Sequence, residues 1–169
     1  MALLRRRANL PDPVRARLEL QSGDHVLAVA ELSDGWAVAT AQRLHVVPDD
    51  GDPTGRAWSE VSGARLDPAA AVLTVTWVDG APATALRLVD DRSRVFPDTV
   101  RQCVDSSILL SERVPLPAGR HVRVALRRGP DGRLLTQVVG TPDVDLADQD
   151  VAALVDAAEV RLREAAGLR

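Results

Sequence analysis

The stretch HVLAVAEL-SDG-WAVATAQRLHVV, His25 to Val47, decides the fold of the first half of this chain. Runs of Val, Ala and Leu flank Ser33-Asp34-Gly35, whose residue types suit a tight turn. The pattern continues through RAWSEVSGARL (Arg56–Leu66) and VLTVTWVDG (Val72–Gly80). Short apolar runs separated by turn residues write an antiparallel β-meander. The expected strands are Val26–Glu31, Trp36–Thr40, Arg43–Val47, Val72–Val78 and Ala83–Val89. Between them, Arg56–Val61 and Ala64–Leu66 read as a single strand with a bulge at Gly63. Val72–Val78 is the clearest: Leu73, Val75 and Trp77 share one face, and Val72, Thr74, Thr76 and Val78 the other. Pro48–Gly55 (PDDGDPTG) is a polar loop rich in breakers.

Working outward, Asp12-Pro13 opens a short helix with Val14, Leu18 and Leu20 on its apolar side, ended by Ser22-Gly23-Asp24. Downstream the period changes. Pro97 opens a helix with Val100, Cys103, Val104 and Ser107 on one face. Ile108–Leu116 reads as either its continuation or a strand, with a handover near Ser107 favoured. His121–Arg128 alternates Val122, Val124 and Leu126 with His121, Arg123 and Arg127. Gly129-Pro130-Asp131-Gly132 is a hairpin loop and Leu134–Val139 its return strand. Thr141–Asp150 is an acidic linker. Val151–Leu168 is an amphipathic helix with Val151, Leu154, Val155, Ala158 and Leu162 at helical spacing; Asp148 and Asp150 near its start and Arg161 and Arg163 near its end suit the helix dipole.

Composition narrows the function classes. The 169 residues include 21 basic side chains, all Arg, and the net charge is −3. The lack of Lys excludes Schiff-base chemistry and a P-loop lysine. A net negative charge gives no global pull to nucleic acid or to an anionic membrane. With 2% aromatic residues, the core must come from Val, Leu and Ala. The single Cys103 cannot form an internal disulfide, which fits a reducing cytoplasm. No apolar run approaches a membrane span, and MALLRRRANLPDP lacks the layout of a secretory signal. The expectation is a soluble cytoplasmic protein.

The first half resembles the bacterial pleckstrin-homology-like domains, of the kind found in actinobacterial proteins. The resemblance rests on Val38, Thr40, Arg43 and Leu44 in the pattern V-x-T-x-x-R-L, followed by Trp58 and Glu60. It implies an α+β chain: a split barrel of about seven antiparallel strands closed by the Pro97 helix, then a β-hairpin or small antiparallel sheet and a C-terminal amphipathic helix. The division so implied is Leu10–Ser111 for the barrel with its closing helix and Glu112–Arg169 for the appended part.

Candidate chemistry is sparse. His25, His45 and His121 have no ligand spacing, and Cys103 has no CxxC partner, so neither a metal nor a cofactor is expected. No serine sits in a G-x-S-x-G elbow, and Cys103 on an apolar helix face reads as an inert buried thiol. Asp49, Asp50 and Asp52 do not meet the calcium-loop pattern. Trp77 reads as core and Trp36 as partly exposed. The feature above background is basic: Arg120, His121, Arg123 and Arg127 fall on the polar face or edge of the hairpin, joined by Arg128 and Arg133 at its loop. Guanidinium clusters suit carboxylate or phosphate partners. No stacking aromatics interleave with them, which argues against nucleic acid. The reading is a non-catalytic binding or scaffold protein acting through protein contacts, with self-association through exposed sheet edges. The alternative is a peripheral binder of anionic lipid headgroups through the arginine hairpin, aided by Arg5, Arg6 and Arg7. An enzyme with a dispersed site ranks last.

Overall fold

The computed structural model describes residues 10–140 and 144–168; the basic segment Arg5-Arg6-Arg7 lies outside them, as does Asp143 of the acidic linker. The chain is α+β, with three antiparallel sheets and three α-helices among the described residues. It divides into two compact units, up to Val104 and from Asp105. The sequence reading drew its line after Ser111.

In the first unit, α1 (Asp12–Ala16) is shorter than its sequence suggested, and the chain leaves it before Leu18. A meander follows in the order β1 (Val26–Leu32), β2 (Gly35–Thr40), β3 (Arg43–Pro48) and β4 (Thr54–Ala57). Gly35 is required at the first turn: its φ is +148°, and a Cβ there would collide with the Val47 carbonyl oxygen. A second meander consists of β5 (Val61–Asp67), β6 (Val72–Trp77) and β7 (Thr84–Arg87).

One expected strand is in fact two. Arg56–Leu66 is broken by a 3-10 turn at Trp58–Glu60, so that β4 and β5 belong to different sheets. The reason is local bonding. The Ala57 N–H donates to Glu60 Oε2 at 2.7 Å, and the buried Trp58 indole donates to the Thr40 carbonyl at 3.0 Å. Both bonds turn the chain out of the first sheet. Arg56 holds the corner from outside: it pairs with Glu60 and Asp79 and lies over the Trp77 ring, 4.3 Å from its centroid. Trp77, expected in the core, is half-buried and packs against the core's margin. The bulge expected at Gly63 is present as a register shift between Val61 and Gly63.

α2 (Val95–Ser107) starts two residues before Pro97. Its buried Phe96, Val100, Cys103 and Val104 join one core with Ala37, Ala39 and Leu44 from the first sheet and Leu73, Val75 and Leu86 from the second. The sheets do not close into a barrel. They touch at an isolated bridge between Leu32 and Leu88, flanked by a bond from the Val89 N–H to the Glu31 carbonyl. The other face of the first sheet, through Val38 and Val47, packs on Leu10 and Val14 of the α1 region.

In the second unit, β8 (Ile108–Pro115) follows the helix at Ser107, where the handover was expected. With β9 (His121–Arg128) and β10 (Leu134–Gly140) it forms a sheet in the order β10-β9-β8. α3 (Gln149–Ala165) packs over β8 and β9, its first turn capped by the Asp148 carboxylate. Val151, Ala158 and Leu162 are buried against Val114, Val122 and Val124. Leu154, expected in that stripe, is instead 40% exposed. No helix among the described residues is long and apolar enough to cross a membrane.

Candidate functional site

The sheet of the second unit has two unlike faces, because side chains alternate along each strand. Leu110 and Val114 on β8, Val122 and Val124 on β9, and Val138 on β10 pack toward α3. Glu112 lies on the same side and takes a bidentate pair from Arg161, at 2.5 and 3.2 Å. That hydrogen bonding holds the Glu112 carboxyl below its ordinary range. The opposite face carries Ser111, Arg113 and Pro115 from β8, His121, Arg123, Ala125 and Arg127 from β9, and Leu135, Gln137 and Val139 from β10. It bears three arginines and a histidine and no carboxylate of its own strands.

Register places Arg113 directly opposite Arg123, and Pro115 opposite His121. Both arginines are exposed. Arg113 Nη2 lies 3.1 Å from His121 Nδ1. A guanidinium can only donate, so Nδ1 accepts and His121 Nε2 carries the ring proton. Among the described residues Arg123 has no ion-pair partner. Like charges directly opposite one another destabilise a strand pair. An oxyanion bridging the two guanidiniums would relieve that repulsion and accept charge-assisted bonds from both.

The six residues singled out from sequence do not form one patch. His121 and Arg123 join the cluster with Arg113. Arg120 is half-buried, its Nε donating to the Pro117 carbonyl at 3.3 Å. Arg128 and Arg133 sit at the far end of the hairpin, where Arg133 pairs with Asp131 at 3.4 Å. Arg127 corrects the expectation of a solvated side chain: it is 2% exposed. Its Nε and Nη2 donate to Ser107 Oγ at 3.2 and 2.8 Å, and Nη1 donates to Gln137 Oε1 at 3.1 Å. Burial lowers the pKa of this guanidinium. Arg113 is not marked by the sequence, because Ile108–Leu116 reads as either helix or strand. Only as a strand residue in this register does it meet Arg123.

A second feature lies in the first unit. A polar cavity of about 480 Å³ opens between the loop after α1 and the β3–β4 hairpin, with His45 and Gly55 in its wall. Its arginines are held by backbone: Arg17 donates to the carbonyls of Pro48 and Gly51 at 2.6 and 2.5 Å, and Arg43 to that of Gly55 at 3.3 Å. His45 is buried, and its Nε2 has no hydrogen-bond partner. Burial lowers its pKa; nearby Asp24 opposes this and Arg43 adds to it. A neutral ring here avoids a buried, unpaired cation. Gly55 makes room for the ring, since a Cβ there would sit 2.7 Å from His45 Nδ1.

Cys103 is buried, and desolvation pushes its thiol up to about 11. Among the described residues, no group of His, Cys, Asp and Glu is arranged to hold a metal ion. Comparison with protein-family models, with curated proteins and with solved structures found no match to this chain.

Proposed function

We propose that this chain is a non-catalytic binding protein of the bacterial cytoplasm, and that the outward face of the β8–β10 sheet in its second unit recognises carboxylates of a protein partner. The observation that carries the reading is the exposed cross-strand pair Arg113 and Arg123 beside His121, on a sheet face without carboxylates. Two adjacent guanidiniums, one of them held by His121, suit planar oxyanions, and their exposure makes the desolvation cost of binding small. The first unit serves as scaffold, read as a pleckstrin-homology-like split barrel. Its four-strand and three-strand meanders followed by a helix that shares their core support that reading.

The anionic-lipid alternative is weaker on charge. Polybasic membrane contacts draw on roughly four to eight cations, and the cluster offers two, Arg113 and Arg123, because the His121 ring accepts from Arg113 and is neutral.

A labelled hexaglutamate peptide, titrated across a salt series beside phosphatidylserine vesicles, tests the choice. Salt-sensitive peptide binding with little vesicle binding is the expected result. Vesicle binding without peptide binding would move the reading to lipid, and binding of neither would remove it.

A further inference from the structure

Among the described residues, each sheet edge except one is blunted. β4 and β7 are four residues long. β1 is engaged at its end by the Leu32–Leu88 bridge. β5 carries a bulge with Arg65 and Asp67, and β8 a bulge with Glu112, Arg113 and Pro115. Such features discourage edge-to-edge pairing. β10, LLTQVVG, has none of them: it is seven residues long, in unbroken register with β9, and free of charge and proline. Among the described residues β9 is its one strand neighbour, and α3 lies over β8 and β9. Leu135 on this strand is 44% exposed.

We propose that β10 is the edge through which two copies of this chain pair, antiparallel, with Gln137 on the two-fold axis. The strand is self-complementary in that register. Leu135 meets Val139 of the second copy and Val139 meets its Leu135, while Gln137 faces Gln137 across the axis. On the helix-bearing side Thr136 meets Val138. Moving the axis by one residue sets Gln137 against Leu135 or Val139 and loses the apolar match. The result is a continuous six-stranded sheet with an isologous interface, closed at two chains. This goes beyond the oxyanion reading and does not depend on it.

Light scattering over a wide concentration range, up to about 1 mM, detects dissociation constants of that order. The wild type is expected to rise from 18.1 kDa towards twice that mass. Leu135→Lys, which puts a charge into the pairing at an already exposed position, should hold the monomer mass with its circular dichroism unchanged. Val160→Lys, at a position 54% exposed on α3, should behave as wild type. Gln137→Cys should form a reducible cross-linked dimer on mild oxidation, which buried Cys103 alone does not give. Arg113→Gln/Arg123→Gln should still dimerise, so loss of peptide binding and loss of pairing are separate results. A wild type that stays monomeric throughout overturns the proposal. So does a dimer that survives Leu135→Lys, one that Val160→Lys dissolves, or one that Gln137→Cys fails to cross-link.

Discussion

Arg113 and Arg123 stand directly opposite each other across β8 and β9, both exposed, and Arg113 spends a hydrogen bond on the ring of His121. A stability-driven sequence would place a carboxylate at one of these positions. Here two like charges are held together on a face without carboxylates, at a cost of roughly 0.2–1 kcal/mol.

Arg123→Gln should therefore raise the melting temperature slightly at low salt, and added salt should close the gap by screening the repulsion in the wild type. A melting temperature that falls on this substitution would mean that the pair is not in net repulsion.

Arg127 differs in kind from its strand neighbour. It is buried and donates to Ser107 and Gln137. Arg127→Ala removes packing and strands two polar partners, at a cost of about 2–4 kcal/mol. Arg123→Ala should stay within about 0.5 kcal/mol of wild type. Urea unfolding of both variants checks the contrast, and equal losses would refute the burial of Arg127.

His45 makes stability depend on acid. Its folded pKa lies below the ordinary 6.5, so the unfolded chain takes up the proton first. Its contribution is full above pH 6.5 and is lost as pH falls from there through the folded pKa. His45→Asn should flatten the stability profile below pH 6.5, read from urea midpoints. Gly55→Ala should cost about 1–3 kcal/mol by crowding the ring. In a His45→Ala background it should cost much less; an undiminished cost would place the strain elsewhere.

Glu112 and Arg161 join β8 to α3. The carboxyl is held below its ordinary 4.5, so its contribution is present above pH 4.5 and fades as pH falls through the folded value. Glu112→Gln should melt earlier than wild type near neutrality, with the difference closing in acid below pH 4.5. A difference that persists unchanged in acid would assign the loss to something other than this charge pair.

Much of the fold was legible in the chain itself. Short apolar runs between turn residues marked β1–β3, alternation marked β6 and β9, Ser33-Asp34-Gly35 marked the first turn, and the change of period placed α2, with a handover near Ser107. What escaped depended on side-chain bonds and packing choices that strand and helix periodicity does not encode. The Trp58–Glu60 turn is set by the local bond from the Ala57 N–H to Glu60, which apolar periodicity does not show, and by Trp58 reaching the distant Thr40 carbonyl. Leu154 has the right helical spacing, but α3 settles on Val151, Ala158 and Leu162 and leaves it outside. The candidate site was half-legible for the same reason. Strand parity put Arg123 and His121 on one face, while register alone brings in Arg113, and tertiary burial alone removes Arg127.

The most direct measurement compares hexaglutamate affinity at low salt for Arg113→Gln/Arg123→Gln and for Arg128→Gln/Arg133→Gln. Both variants lose two positive charges, so the global electrostatic change is the same. If the outward face is the recognition surface, the first should weaken binding by about tenfold, equivalent to about 1.4 kcal/mol, and the second should change it little. Equal losses, or a larger loss in the second, would contradict a site at Arg113 and Arg123.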